Sequence, residues 1–128
     1  MTRTEQREQA FLVLFEGLFN ADSKTMEEKE TSLWDYDDNP FTAELINGVN
    51  ENLCVIDETI EKYLTGWSLK RISSVSKTVL RLAVYEILFA ETPSEVAINE
   101  AVELSKKYSL PPDPSFVNGV LSSVVKNK

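Results

Sequence analysis

The 128-residue sequence has no histidine and a single cysteine, Cys54. Without histidine it lacks the commonest general base near neutral pH and the commonest zinc ligand. One cysteine permits neither an internal disulfide nor a cysteine-rich metal site, and the expected home is reducing and cytoplasmic. The four glycines, Gly17, Gly48, Gly66 and Gly119, are too scattered to build a phosphate-cradling loop. No apolar run approaches the roughly 20 residues needed to span a bilayer, and the polar start MTRTEQREQ does not look like a secretion signal. Three aspartates crowd the segment WDYDDNP, but the alternation, central glycine and closing glutamate of a calcium loop are missing. Glu100 and Glu103 share a helix face as paired catalytic carboxylates would. Glu103 and Lys107 also form a plain i,i+4 ion pair, and that structural account is the expected one. The reading is a protein without metal, cofactor or catalytic activity.

Cations are also in short supply. The net charge is −8 and the isoelectric point about 4.6. Residues 1–64 hold five Lys/Arg against fifteen Asp/Glu, leaving −10, while residues 65–128 hold eight against six, leaving +2. An acidic protein is a poor non-specific ligand for phosphate backbones. Lys70, Arg71, Lys77 and Arg81 nevertheless fall within a dozen residues, and a local basic patch can bind a short segment.

What the sequence has in abundance is helical periodicity. The stretch VSKTVLRLAVYEILFA, residues 75–90, is apolar all round the helical wheel, with only Lys77, Arg81 and Glu86 charged. Such a helix must be packed on several sides, so it is expected to be the centre of the fold. Around it, Ala10, Phe11, Leu14, Phe15, Leu18 and Phe19 define an amphipathic helix from about Thr4 to Phe19. A short helix is expected over residues 24–33. Asn39 as N-cap and Pro40 at the first position start a third. Its apolar stripe runs over six turns through Phe41, Leu45, Ile46, Val49, Leu53, Ile56, Ile60 and Leu64, with Cys54 expected on the inner side. Gly66 permits a turn, and residues 67–72 fit a short helical turn. Thr92-Pro-Ser-Glu95 reads as a capping box opening a helix from Val96 to Tyr108. Asp113 is expected to cap a last helix with Phe116, Val117, Val120, Leu121, Val124 and Val125 inward. Gly119 within it implies a close neighbour, since glycine there costs about 1 kcal/mol against alanine. The expected architecture is a single all-α domain over residues 1–128, of six or seven helices in two three-helix bundles.

The residues that fit none of these packing roles are cationic or aromatic. Arg3 and Arg7 lie four apart on the first helix and are candidates for phosphate contact, with Glu5 and Glu8 among them. Lys77 and Arg81 extend a basic edge if the first helix packs beside the central one. Arg81, one turn deeper, serves a buried ion pair as readily. Phe15 lies at the margin of an apolar stripe, where an aromatic either joins the core or anchors a partner.

Three segments, VLRLAVYEIL, EVAINEAVELSKKY and FVNGVL, occur in an order and spacing that resemble the NusB family of bacterial transcription antitermination factors. Arg7, Glu8, Ala10, Leu14 and Phe15 on the first helix, and the turn at Trp67, extend the resemblance over nearly the whole chain, more specifically in its second half. The resemblance implies two three-helix bundles and a non-enzymatic adaptor. In that family the protein pairs with NusE, a small-subunit ribosomal protein. The pair binds boxA RNA of nascent, chiefly ribosomal RNA, transcripts, and joins other Nus factors on RNA polymerase. Carried over residue by residue, Arg3, Arg7 and Lys77 match phosphate-holding positions, and Phe116 and Asn118 positions near the RNA. Phe15 matches an aromatic that contacts the ribosomal protein, and Ser76 a position at that interface that is often acidic. Thr4 and Glu5 stand where further basic residues are common, which thins the arginine motif. Two alternatives remain: a helical protein–protein adaptor with weak or lost RNA binding, and a fragment of an RNA cytosine methyltransferase carrying such an N-terminal domain. No cofactor-binding domain or catalytic cysteine supports the second.

Overall fold

The computed structural model describes residues 2–20, 40–66 and 68–128. The expected helix over 24–33, the aspartate loop, the Asn39 cap and Trp67 lie outside them. The described residues form six helices and no strand. They are α1 (Arg3–Asn20), α2 (Pro40–Glu51), α3 (Leu53–Lys62), α4 (Ser74–Leu88), α5 (Ser94–Tyr108) and α6 (Asp113–Asn127). Helices α1–α3 make one bundle and α4–α6 the other, and α4 packs against all five of the rest.

The all-round apolar sequence of α4 is what permits that position. Ser76, Thr78 to Leu80 and Leu82 to Ile87 are all buried. Each large aliphatic side chain fully removed from water contributes about 1.5–3 kcal/mol. The helix starts where its sequence supplies a cap: Ser73 has extended backbone, and its hydroxyl accepts the Ser76 N–H at 3.1 Å. Phe11, Leu45, Ile56, Ile60 and Leu121 reach the same core with no exposed surface.

Several local expectations are corrected. The long helix after Pro40 is two helices, broken at Asn52, where φ is −113° and ψ 18°. The Asn52 amide donates to the Gly48 carbonyl at 2.8 Å, the kind of side-chain bond that competes with a helical ladder. Apolar spacing continues through the break because both helices bury a stripe on one core. The interruption shifts the phase, however, and Cys54 is exposed rather than buried. The capping box before α5 does not form. Pro93 takes the cap position without a side-chain bond, and the Thr92 hydroxyl donates instead to Glu86 Oε1 at 2.8 Å. Asp113 does not cap α6 either; it is the first helical residue, and its carboxylate accepts from the Ser73 and Ser109 hydroxyls at 2.9 and 2.5 Å. Burial opposes ionisation of Asp113, but these hydroxyl bonds outweigh it and hold the carboxyl below its usual range.

Two glycines have defined work. Gly66 has φ +78°, the left-handed conformation the turn before α4 uses. At Gly48 an added Cβ would lie 2.2 Å from the Tyr85 ring, so α2 and α4 approach as closely as they do because no side chain intervenes. Gly119, expected to mark a close approach, is exposed and has no atom within 4 Å of an added Cβ. Nothing in the structure requires glycine there.

Candidate RNA and partner surface

The two arginines of the first helix have opposite fates. Arg7 is 6% exposed, and its guanidinium is committed to carboxylates from two other helices. Nε donates to both Glu86 oxygens at 3.0 Å, Nη2 lies 2.9 Å from Glu86 Oε1, and Nη1 reaches Glu100 at 3.2 Å. Thr92 adds its hydroxyl to Glu86, and Thr4 donates to Glu100 at 2.5 Å. This cluster ties α1 to α4 and α5. A buried carboxylate needs a paired cation to remain charged, and Glu86, alone among the anions of the apolar central helix, finds it in Arg7. Arg7, expected from the sequence to contact phosphates, has these donors engaged inside the bundle.

Arg3, one turn earlier, is exposed. Its guanidinium lies 4.0 Å from the centre of the Phe41 ring, and Nη1 contacts Gln6 Oε1 at 3.5 Å. Farther along α1, Glu8 receives Lys107 at 2.5 Å and the Tyr108 hydroxyl. Lys107 thus crosses to α1 instead of pairing with Glu103, which takes Lys106 at 3.3 Å. The Lys107 and Tyr108 hydrogen bonds pull the Glu8 carboxyl below its usual range against the effect of burial. Burial, then Glu8, push the Tyr108 hydroxyl up to about 12.

The single basic surface expected from Arg3, Arg7, Lys77 and Arg81 does not assemble. Arg81 grips Asp57 with two bonds of 2.9 Å, the ion-pair role its depth in α4 made plausible. Arg7 pairs with Glu86, nine residues beyond Lys77 on α4. At about 1.5 Å per residue, that sets Arg7 roughly 13 Å along the axis from Lys77. Arg3 lies a turn away from Arg7 again. Lys77 is half-buried, one turn into α4, with no carboxylate among the described residues paired to it. It belongs to another end of the molecule, where the Ser73–Asp113 bond joins the starts of α4 and α6. Lys70 and Arg71, both exposed, lie on the turn immediately before α4.

Phe116 is one turn into α6 and half-buried against the core at that same end. Asn118 is exposed and lines an open groove of about 520 Å³ between α5 and α6, with Ile98, Asn99, Lys106 and Pro114. Phe15 packs partly into the core. Its ring stacks on Phe11 at 5.6 Å, which in turn meets Tyr108 at 5.0 Å, and part of it faces solvent. Ser76, placed by resemblance at the partner edge, is 1% exposed. As the third residue of α4, with its N–H capped by Ser73, its side chain turns into the bundle. Phe41 was read from sequence only as part of an apolar stripe, and no spacing signal links it to Arg3, 38 residues away. Among the described residues no group of three His, Cys, Asp or Glu side chains could hold a metal ion, and no helix is long and apolar enough to cross a membrane.

The geometry has close parallels. The chain is 40% identical to the transcription antitermination protein NusB of Clostridium novyi, covering 98% of this chain and 99% of the relative. It is also 40% identical to NusB of Staphylococcus aureus strain JH9, over 98% and 100%. Among solved structures, T. maritima NusB superposes with a TM-score of 0.85 and 38% identity, covering 98% of this chain and 92% of that one. A chain from a crystal structure of the antitermination factors NusB and NusE in complex with double-stranded RNA gives 0.78 and 29%, with full coverage of both. The NusB family model matches residues 4–126. By sequence over 98% of its length and by its two-bundle architecture, the chain belongs to the NusB family.

Proposed function

We propose that this chain is a transcription antitermination factor that works as an adaptor rather than a catalyst. Paired with a NusE-type ribosomal protein, it binds boxA-type RNA in nascent transcripts. It then joins other Nus factors on RNA polymerase in the cytoplasm to keep elongation processive. The observation that carries this reading is the end-to-end match to a NusB chain crystallised with NusE and RNA. The surface is compatible with it. Arg3 and Lys77 hold phosphates, with Lys70 and Arg71 adding charge beside Lys77. Phe116 offers an aromatic face to unstacked bases, the usual mode of single-stranded RNA recognition. Asn118 presents donor and acceptor groups. Phe15 docks the ribosomal partner, and Ser76 supports that edge from beneath. Arg7 contributes to the stability of the bundle through Glu86 and Glu100.

Titration of boxA RNA with the protein–partner complex at rising salt tests the RNA side. Affinity should fall linearly on logarithmic axes, and a salt-independent affinity would remove the phosphate contacts. Phe15→Asp should abolish pairing with the ribosomal protein while helicity is retained; intact pairing would remove Phe15 from the interface. A second reading, an adaptor whose RNA binding is weak or lost, draws support from the burial of Arg7, which leaves Arg3 as the exposed arginine of the first turn. Absence of boxA binding with the partner present would select it.

A further inference from the structure

Arg3 and Phe41 occupy the first turns of α1 and α2, and the Arg3 guanidinium lies over the Phe41 ring. The Arg3 guanidinium centre lies 4.0 Å from the Phe41 ring centre. Arg7, paired with Glu86 and Glu100, lies 5.3 Å from the centre of the same ring. No carboxylate among the described residues pairs with Arg3, whose polar contact is the long 3.5 Å approach to Gln6. An exposed arginine ordinarily samples many rotamers. Stacked on an aromatic face, its planar fork is pre-organised and its N–H edge points away from the ring. Arg3, Gln6, Pro40, Phe41 and Glu44 line an open depression of about 530 Å³. Glu44, the acid on that rim, interacts with the Tyr85 hydroxyl.

We propose that Phe41 is a positioning residue for RNA: it holds the Arg3 guanidinium flat, so that the outer N–H edge meets a phosphate of a single strand laid over the depression between the starts of α1 and α2. This rests on the phosphate role of Arg3 given above. Phe41 touches no RNA through its ring face, which Arg3 covers; it acts by lowering the freedom Arg3 loses on binding. Charge alone would tolerate any apolar residue at position 41, whereas a stacked guanidinium requires a π-face.

The experiment compares Arg3→Ala, Phe41→Met and Phe41→Trp in the full chain with its ribosomal partner. It measures boxA affinity across a salt series, with thermal unfolding of each variant alongside. Methionine preserves apolar packing and removes the π-face; tryptophan preserves the face. Arg3→Ala is expected to reduce the slope of log K against log salt by about 0.7, the value for one phosphate contact to a single strand. Phe41→Met is expected to weaken binding about two- to fivefold, the range of an exposed cation–π contact, and to reduce the slope in part. Phe41→Trp should restore both, and Phe41→Met should have no further effect in the Arg3→Ala background. If Arg3→Ala weakens binding and Phe41→Met does not, the positioning role is overturned while the Arg3 contact stands. If Arg3→Ala changes neither affinity nor slope, the contact itself is wrong and Phe41 falls with it. Equal weakening by Phe41→Met with and without Arg3 would mark Phe41 as merely structural and overturn the proposal.

Discussion

Removing Arg7 separates a structural from an RNA-binding account of the first helix. In Arg7→Ala, Glu86 keeps only the Thr92 hydroxyl as a side-chain donor, at a site where it is 2% exposed. Glu100, at 15% side-chain exposure, retains the Thr4 hydroxyl and some access to water. Most of the damage therefore falls on Glu86. Breaking a buried ion pair by deleting one partner costs about 3–5 kcal/mol, because the remaining charge is left without compensation. Unfolding entropy near the midpoint is roughly 2.1 cal/mol/K per residue, or about 0.27 kcal/mol/K for a chain of this size. The midpoint should then fall by roughly 10–20 °C. Circular-dichroism melts of the parent and variant measure this directly. A companion double variant, Arg7→Met with Glu86→Leu, should recover much of the loss, since apolar replacement of both partners removes the desolvation penalty along with the pair. At temperatures where Arg7→Ala remains folded, its boxA affinity should stay near that of the parent. An Arg7→Ala protein that melted within about 2 °C of the parent but lost RNA binding would refute the reasoning. In that outcome, the guanidinium would serve phosphates after all.

Two glycines should respond with opposite signs. Gly48→Ala drives a Cβ to 2.2 Å from the Tyr85 ring and should cost about 1–3 kcal/mol as overpacking. Gly119→Ala enters open space on an α-helix and should add about 0.5–1 kcal/mol, both readable from urea midpoints. Tyr108 carries a pH signature. Its hydroxyl is raised to about 12 by burial and then by Glu8, so the folded state favours the neutral phenol. That contribution is fully present below the unfolded value near 10 and is lost as pH rises through about 12. Absorbance titration of the phenolates should show late-titrating tyrosine, and Tyr108→Phe should remove its share while Tyr85, also raised by burial and then by Glu44, still titrates late.

Periodicity was sufficient wherever one residue spacing described one helix. The all-round apolar run became α4, and Ala97, Ala101 and Leu104 are buried on α5. It failed at Asn52, because two consecutive helices packed on one core keep a common apolar rhythm while one side-chain amide interrupts the backbone between them. It failed again at Thr92 and Asp113. Their short polar side chains fit a local cap, but carboxylate and hydroxyl partners from elsewhere in the chain compete for them. The family motifs were legible in order and spacing, and the comparisons agree with them. The candidate site was only half legible: Arg3 and Arg7 are equivalent in sequence, four residues apart and flanked by acids.

The sequence by itself determined that this protein is all-helical and of the NusB type. Apolar spacing, the lack of histidine and paired cysteine, and three motif segments depend only on residues near one another in the chain. Tertiary structure alone decided which cations are available. Arg7 disappears into Glu86 and Glu100 and Arg81 into Asp57, while Arg3 is laid on Phe41 and Lys77 is left without an acid beside it among the described residues. The physical reason is that a charge buried in a bundle takes its partner from whichever helix lies opposite, up to 93 residues away in these pairs, and no local pattern encodes that choice.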